Sequence, residues 1–114
     1  MQINKIKATN VELTEAIQTY VEEKFLSLAP LVANWEPVAD MDIEIGKVTE
    51  HHNKGMIFLC EVNLEIPGEL VRVEVKEEDL YAAIDKAKDD LRLRLVDIKE
   101  KMIERNRQTP EEKV

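Results

Sequence analysis

Half of the 16 lysines and arginines in this chain fall in one stretch near its C-terminal end, and they are its clearest means of holding a partner. Residues 79–107 carry 8 basic and 7 acidic side chains, a balance of +1, whereas residues 1–78 carry 7 and 15, a balance of −8, and the last residues add −1. Clustered lysine and arginine grip anionic oxygen, phosphate above all, through charge-assisted hydrogen bonds and long-range attraction. The formal net charge of −8 is the opposite of the basic footprint usual in nucleic-acid binders. An anionic partner is therefore expected at the C-terminal segment, with the remaining surface repelling it.

Other reactive residue types give weaker signals. His51 and His52 are adjacent in HHNKG, with no Cys or carboxylate at a metal-ligand spacing, so a turn explains them better than a metal site. Cys60 falls on the apolar side of an alternating run and is expected as a small core residue rather than a nucleophile. Glu77, Glu78 and Asp79 stand at a helix start, where the helix dipole favours acids without any catalytic role. No triad order, glycine-rich phosphate loop or HExxH occurs. An enzyme, a cofactor and a bound metal are not expected.

The elements that must position the basic segment follow from composition and periodicity. With 114 residues, 44% hydrophobic and 35% charged, the chain suits one globular domain, taken as residues 1–107 with a flexible tail at 108–114. No apolar run reaches the roughly 20 residues of a membrane span, and MQINKIKATN lacks the apolar core of a secretory signal. A single cysteine, unable to form an internal disulfide, fits a cytoplasmic setting.

Residues 2–8 mix isoleucine and lysine as a short strand. Thr14 is the expected N-cap of a helix whose stripe is Ile17, Tyr20, Val21, Lys24, Phe25 and Leu28, with Pro30 as its stop. Leu31, Val32 and Trp35 are expected beneath the domain edge. Three alternating runs follow: Met41, Ile43 and Ile45; Met56, Phe58, Cys60, Val62, Leu64 and Ile66; and Val71, Val73 and Val75. Gly55 and the pair Pro67 and Gly68 mark the turns between them, with Gly55 able to adopt positive φ. Then Leu80, Ile84, Ala87, Leu91, Leu95, Ile98 and Met102 step by three or four, one seam on a long helix from about 79 to about 106. Such a helix outruns a small sheet, so its last turns should project, and Thr109 and Pro110 open a frayed end.

These elements predict an α+β, two-layer β-α-β-β-β-α domain. Its four-stranded sheet carries both helices on one face, and the other face, with Asp42, Glu44, Glu61 and Glu65, is wet and acidic. The outline is similar to double-stranded RNA-binding domains.

Two strings carry a resemblance. NVELTEAIQTYVEEKF and IPGELVRVEVKEEDLYAAIDKAKDDL, and above all Glu78 to Asp85, resemble the ribosome hibernation-promoting factor and ribosome-associated inhibitor family. The likeness extends to about residue 101, and the chain looks like a short-form member, ending where longer relatives continue into a dimerisation domain. It implies a non-enzymatic factor that binds the small ribosomal subunit in the channel used by messenger and transfer RNA, and so stores idle ribosomes. It also implies basic residues on the helix flanks, contacting phosphates and 2′-hydroxyls without reading bases.

The candidate RNA contacts are Lys24, Lys86, Lys88, Arg92, Arg94, Lys99 and Lys101. Lys24, Lys99 and Lys101 match basic positions of the family, and the other four are displaced in register. Asp90, Leu93, Val96 and Asp97, like Gln18, Glu23 and Ser27 in the first helix, stand where relatives carry lysine or arginine.

At 100° per residue, Lys88, Arg92 and Lys99 fall on one flank of the seam beside Tyr81. Arg94, Lys101 and Arg105 fall on the other, interrupted by Asp90 and Asp97. The plainer reading is a solvated helix with pairs such as Asp90–Arg94 and Asp97–Lys101, and Tyr81 as packing rather than a stacking platform. Leu93, Val96 and Ile103 lie opposite the seam and are candidates for self-association, or merely tolerated surface apolars. Two functions result: a ribosomal RNA binder, or the same fold turned into a protein-interaction module with an eroded RNA face.

Overall fold

A computed structural model describes residues 1–35, 39–49 and 55–108. The elements run β1 (Gln2–Thr9), α1 (Glu15–Leu26), a 3-10 helix (Ala29–Trp35), β2 (Asp40–Thr49), β3 (Met56–Ile66), β4 (Glu69–Glu77) and α2 (Leu80–Gln108). The sheet order is β1-β2-β3-β4. β1 pairs with β2 in parallel, through the crossover that parallel pairing demands and α1 supplies, while β2, β3 and β4 form an antiparallel meander.

Period-2 patterning decides which face of the sheet is dry. Met41, Ile43, Ile45, Cys60, Val62, Leu64, Ile66, Val71, Val73 and Val75 are all buried. Against them α1 brings Val21 and Phe25, and α2 brings Leu80, Ala83, Ile84, Ala87, Leu91 and Leu95. Both helices thus cover one face, as the amphipathic stripes require, and among the described residues no polar or charged side chain is buried in this core. Truncating one of these fully buried leucines should cost about 2–5 kcal/mol.

Local chemistry sets the ends of the elements. The Thr14 hydroxyl accepts from the Ile17 N–H at 3.1 Å and caps α1. Asp79 does the same for α2, its Oδ2 accepting from the Ala82 N–H at 2.9 Å. Gly68 takes a φ of 81° in the β3–β4 turn, a conformation cheap only for glycine. Asn10 leaves β1 at a φ of 61°, which asparagine tolerates better than most residues.

Several expectations are corrected. Pro30 does not stop α1, which ends at Leu26; the Leu28 N–H to Phe25 carbonyl bond tightens the chain into the 3-10 helix. Pro30 sits in the first turn of that helix, where its missing N–H has no partner to lose. The glycine with positive φ is Gly68, not Gly55. Met56 begins β3 but is 57% exposed, so the buried series effectively starts further along. The wet face is of mixed charge, because Lys5 and Lys7 pair in register with Asp42 and Glu44, and Arg72 with Asn63. Val32 is buried and Leu31 half-buried as expected, while the side chain of Trp35, the pair His51 and His52, and Thr109 and Pro110 lie outside the described residues. The α2 seam is fully buried through Leu95, half-buried at Ile98 and Met102, and gives way to exposed Ile103, Glu104 and Arg105.

Candidate nucleic-acid interface

Because the seam of α2 faces the sheet, its two flanks look in different directions, one toward α1 and one toward the β4 edge. Tyr81, Asp85, Lys88, Arg92 and Lys99 lie within about 60° of one another around the helix, on the α1 side. Over the 11 residues from Lys88 to Lys99 that row covers roughly 16 Å of helix axis.

At its N-terminal end the row is fastened to α1. The Tyr20 hydroxyl donates to Asp85 Oδ1 at 2.6 Å, and Lys24 Nζ reaches the same oxygen at 3.3 Å. The Tyr20 and Tyr81 rings meet edge to face with centroids 4.7 Å apart, and the Lys24 ammonium lies 5.3 Å from the Tyr20 ring centre. The hydrogen bond to Asp85, helped by partial burial and the carboxylate charge, raises the Tyr20 pKa above its ordinary value. The same carboxylate, through its hydrogen bond and charge, raises that of Lys24. Lys24 is therefore charged at neutral pH, but its charge is already matched by Asp85.

Further along, the basic side chains are more available. Lys88 approaches the neighbouring Asp89 at 3.4 Å, a loose contact between adjacent residues. Among the described residues, Arg92 and Lys99 enter no ion pair, and neither do Lys86 and Arg94. Arg92, Arg94 and Lys86 are exposed and Lys99 is half-buried. Such a row can accept a run of phosphates without base readout. Lys86 points away from both flanks.

The opposite flank is different. Lys101 pairs with Asp97 at 3.1 Å, one of the two i,i+4 pairs expected, while the other, Asp90 with Arg94, is not formed. Arg94, Asp97 and Lys101 border a groove of about 510 Å³ between α2 and the β4 edge, floored by Leu70, Leu93 and Ile98. Leu93 is 61% exposed in that groove, and Val96 and Ile103 lie outside its lining.

Periodicity placed the basic flank but missed Asp85 as its anchor. Asp85 shares the helical angle of Tyr81, Lys88 and Arg92, and a lone carboxylate in a basic row is a signal that something else engages it. Elsewhere the chemistry is quiet. Burial, with Glu61 nearby, pushes the Cys60 thiol up to about 12, so it holds no thiolate at neutral pH. Among the described residues no group of three or more His, Cys, Asp or Glu is placed to hold a metal, and no helix is long and apolar enough to cross a membrane.

Comparison with known proteins agrees with this architecture. A ribosome hibernation promotion factor of Deinococcus radiodurans is 38% identical over 95 residues, 83% of this chain but 48% of that protein, so the chain spans about half the relative's length. A ribosome hibernation promoting factor of Pseudomonas putida is 36% identical over 101 residues, 89% of each. Among solved structures, the Thermus thermophilus Protein Y N-terminal domain superposes with a TM-score of 0.60 at 35% identity, covering 83% of this chain and 96% of that one. A ribosomal subunit interface protein from Coxiella burnetii, at 17% identity and a TM-score of 0.60, shares the fold. Residues 4–103 match the family described as Sigma 54 modulation protein / S30EA ribosomal protein, and the chain belongs to that family.

Proposed function

We propose that this chain binds the small ribosomal subunit through ribosomal RNA, in the channel used by messenger and transfer RNA, and keeps idle ribosomes out of translation. It acts in the cytoplasm, where ribosomes are, and carries out no chemical step. The observation that carries the reading is the row Lys88, Arg92 and Lys99, basic and unengaged over most of its length in a chain of net charge −8. The names of the relatives from Deinococcus and Pseudomonas support it. Lys24 adds a charge at the α1 end, and Lys86, Arg94 and Lys101 play a lesser part. The wet sheet face, with Asp42, Glu65 and Glu74 exposed, turns away from the RNA. Tyr81, 40% exposed, packs on Tyr20 rather than on a base.

The test is co-sedimentation with purified small subunits at low and moderate salt. Saturable binding is expected, weakening steeply as salt rises because each phosphate contact releases counterions. Absence of binding at low salt would rule the reading out.

A further inference from the structure

The two free edges of the sheet are built differently. β1 breaks its pairing with β2 between Ile3 and Lys5, and exposes Lys5 and Lys7, the irregularity and lysines that blunt an edge against further pairing. β4 shows no such irregularity: its nine residues pair with β3 in unbroken register from Glu69 to Glu77, with no proline and no bulge, although it too exposes a lysine, Lys76, and its end residues Glu69 and Glu77 share the side of Val71, Val73 and Val75. Beside it lies the groove holding Leu70, 62% exposed, and Leu93, 61% exposed.

β4 is also complementary to itself. In an antiparallel pair related by a two-fold axis, opposite residues point to the same face of the sheet, so the axis must pass through a residue. Val73 is the midpoint of Glu69–Glu77, and an axis there pairs the whole strand. That register sets Arg72 opposite the partner's Glu74 and Glu74 opposite the partner's Arg72. It also stacks Val71 on the partner's Val75 and lays Leu70 against the stem of the partner's Lys76. Moving the axis to Arg72 or Glu74 would oppose like charges at the centre instead. The Val73 register has two faults: Glu69 faces the partner's Glu77 at each end, and Arg72, already paired with Glu61 of its own β3, must share its charge with the partner's Glu74.

The helices allow this approach. α2 packs on β3 and β4, so two copies of α2 would lie about two strand spacings apart, roughly 10 Å, a normal helix-packing distance. Each would fill the other's groove and cover Leu70 and Leu93.

We infer that the β4 edge, with Leu70 and Leu93 beside it, is an interface for a second copy of this chain, joining two sheets into one eight-stranded sheet. The row of Lys88, Arg92 and Lys99 lies on the far flank of α2 and remains open in the pair, so the interface stands apart from the proposed RNA contact.

Sedimentation equilibrium of the full chain over a wide concentration range tests it. Wild type should approach twice 13.2 kDa as concentration rises. Arg72→Glu and Glu74→Arg, each confirmed folded by circular dichroism, should each remain at 13.2 kDa, and their equimolar mixture should regain the doubled mass. The mixture is the decisive arm, since one copy then offers two glutamates and the other two arginines. A monomeric wild type throughout, single variants that still dimerise, or a mixture that stays monomeric would each overturn the interface. Ribosome binding by the monomeric variants is expected to persist, so loss of the interface and loss of RNA binding are read separately.

Discussion

The two flanks of α2 are made of nearly the same residues and have different electrostatic character. Toward α1 stand Lys88, Arg92 and Lys99; toward β4 stand Arg94, Lys101 and Arg105. The difference lies in where the neighbouring acids are engaged. On the α1 side Asp85 is held by Tyr20 and Lys24, leaving Arg92 and Lys99 without an acidic partner among the described residues. On the β4 side Asp97 turns to Lys101 on the same helix, and Asp90 stands nearby. A count of charges treats the flanks as equivalent. Contacts between elements decide which one can meet a phosphate.

The strongest way to break this comparison is to reverse each flank separately. Lys88→Glu/Arg92→Glu/Lys99→Glu should lower small-subunit binding at low salt by about a hundredfold or more, about 1 kcal/mol per lost contact. It should also flatten the dependence of log affinity on log salt by roughly two to three units. Arg94→Glu/Lys101→Glu should change affinity no more than about threefold, through long-range repulsion that salt screens. Co-sedimentation of the two variants side by side gives the answer, and equal losses would mean the flanks do not differ.

What could be read from residues alone follows the same division. The seam of α2, the alternation of the three meander strands and the Thr14 cap were legible because each depends on neighbours within a turn or a strand. The seam also fixes both flanks, so the basic row beside Tyr81 could be located without coordinates, but not which flank faces α1. The partner of Asp85 was not legible, because Tyr20 lies 65 residues away and reaches it only once both helices rest on one sheet face. The end of α1 was misread for a related reason. Pro30 is compatible both with stopping an α-helix and with opening a 3-10 helix, and the preceding i to i−3 bonds decide between them. The asymmetry of the sheet edges likewise needs the pairing register, which alternation does not specify.

Asp85→Asn sharpens the comparison at the fastening point, with a smaller effect and opposite signs in two measurements. The substitution keeps an acceptor for the Tyr20 hydroxyl but removes the charge that matches Lys24. Stability should fall by about 1 kcal/mol or less, read from urea midpoints, since the contacts are partly exposed. Binding at low salt should rise by about threefold, as Lys24 joins the row with its charge uncompensated. The pH response checks the cause. Asp85 holds the folded-state pKa of Tyr20 above its ordinary 10.0, so that contribution to stability is complete below 10.0 and declines as pH rises through the raised value. In Asp85→Asn the phenol should titrate closer to 10.0 by ultraviolet absorbance, and the alkaline decline attributable to Tyr20 should shrink.

The smallest effect is expected on the other flank, where the most regular ion pair lies. Asp97 and Lys101 meet at 3.1 Å with side chains 60% and 70% exposed. At that exposure solvent screening and side-chain entropy offset most of the attraction, so a double-mutant cycle with Asp97→Ala and Lys101→Ala should give a coupling of about 0.5 kcal/mol or less. Asp97→Ala should also leave ribosome binding within about twofold of wild type, although it adds one unit of positive charge. An increase as large as that from Asp85→Asn would mean that Lys101 is an RNA contact held back by its pair. The RNA would then touch both flanks of α2, and the division between them would be one of degree.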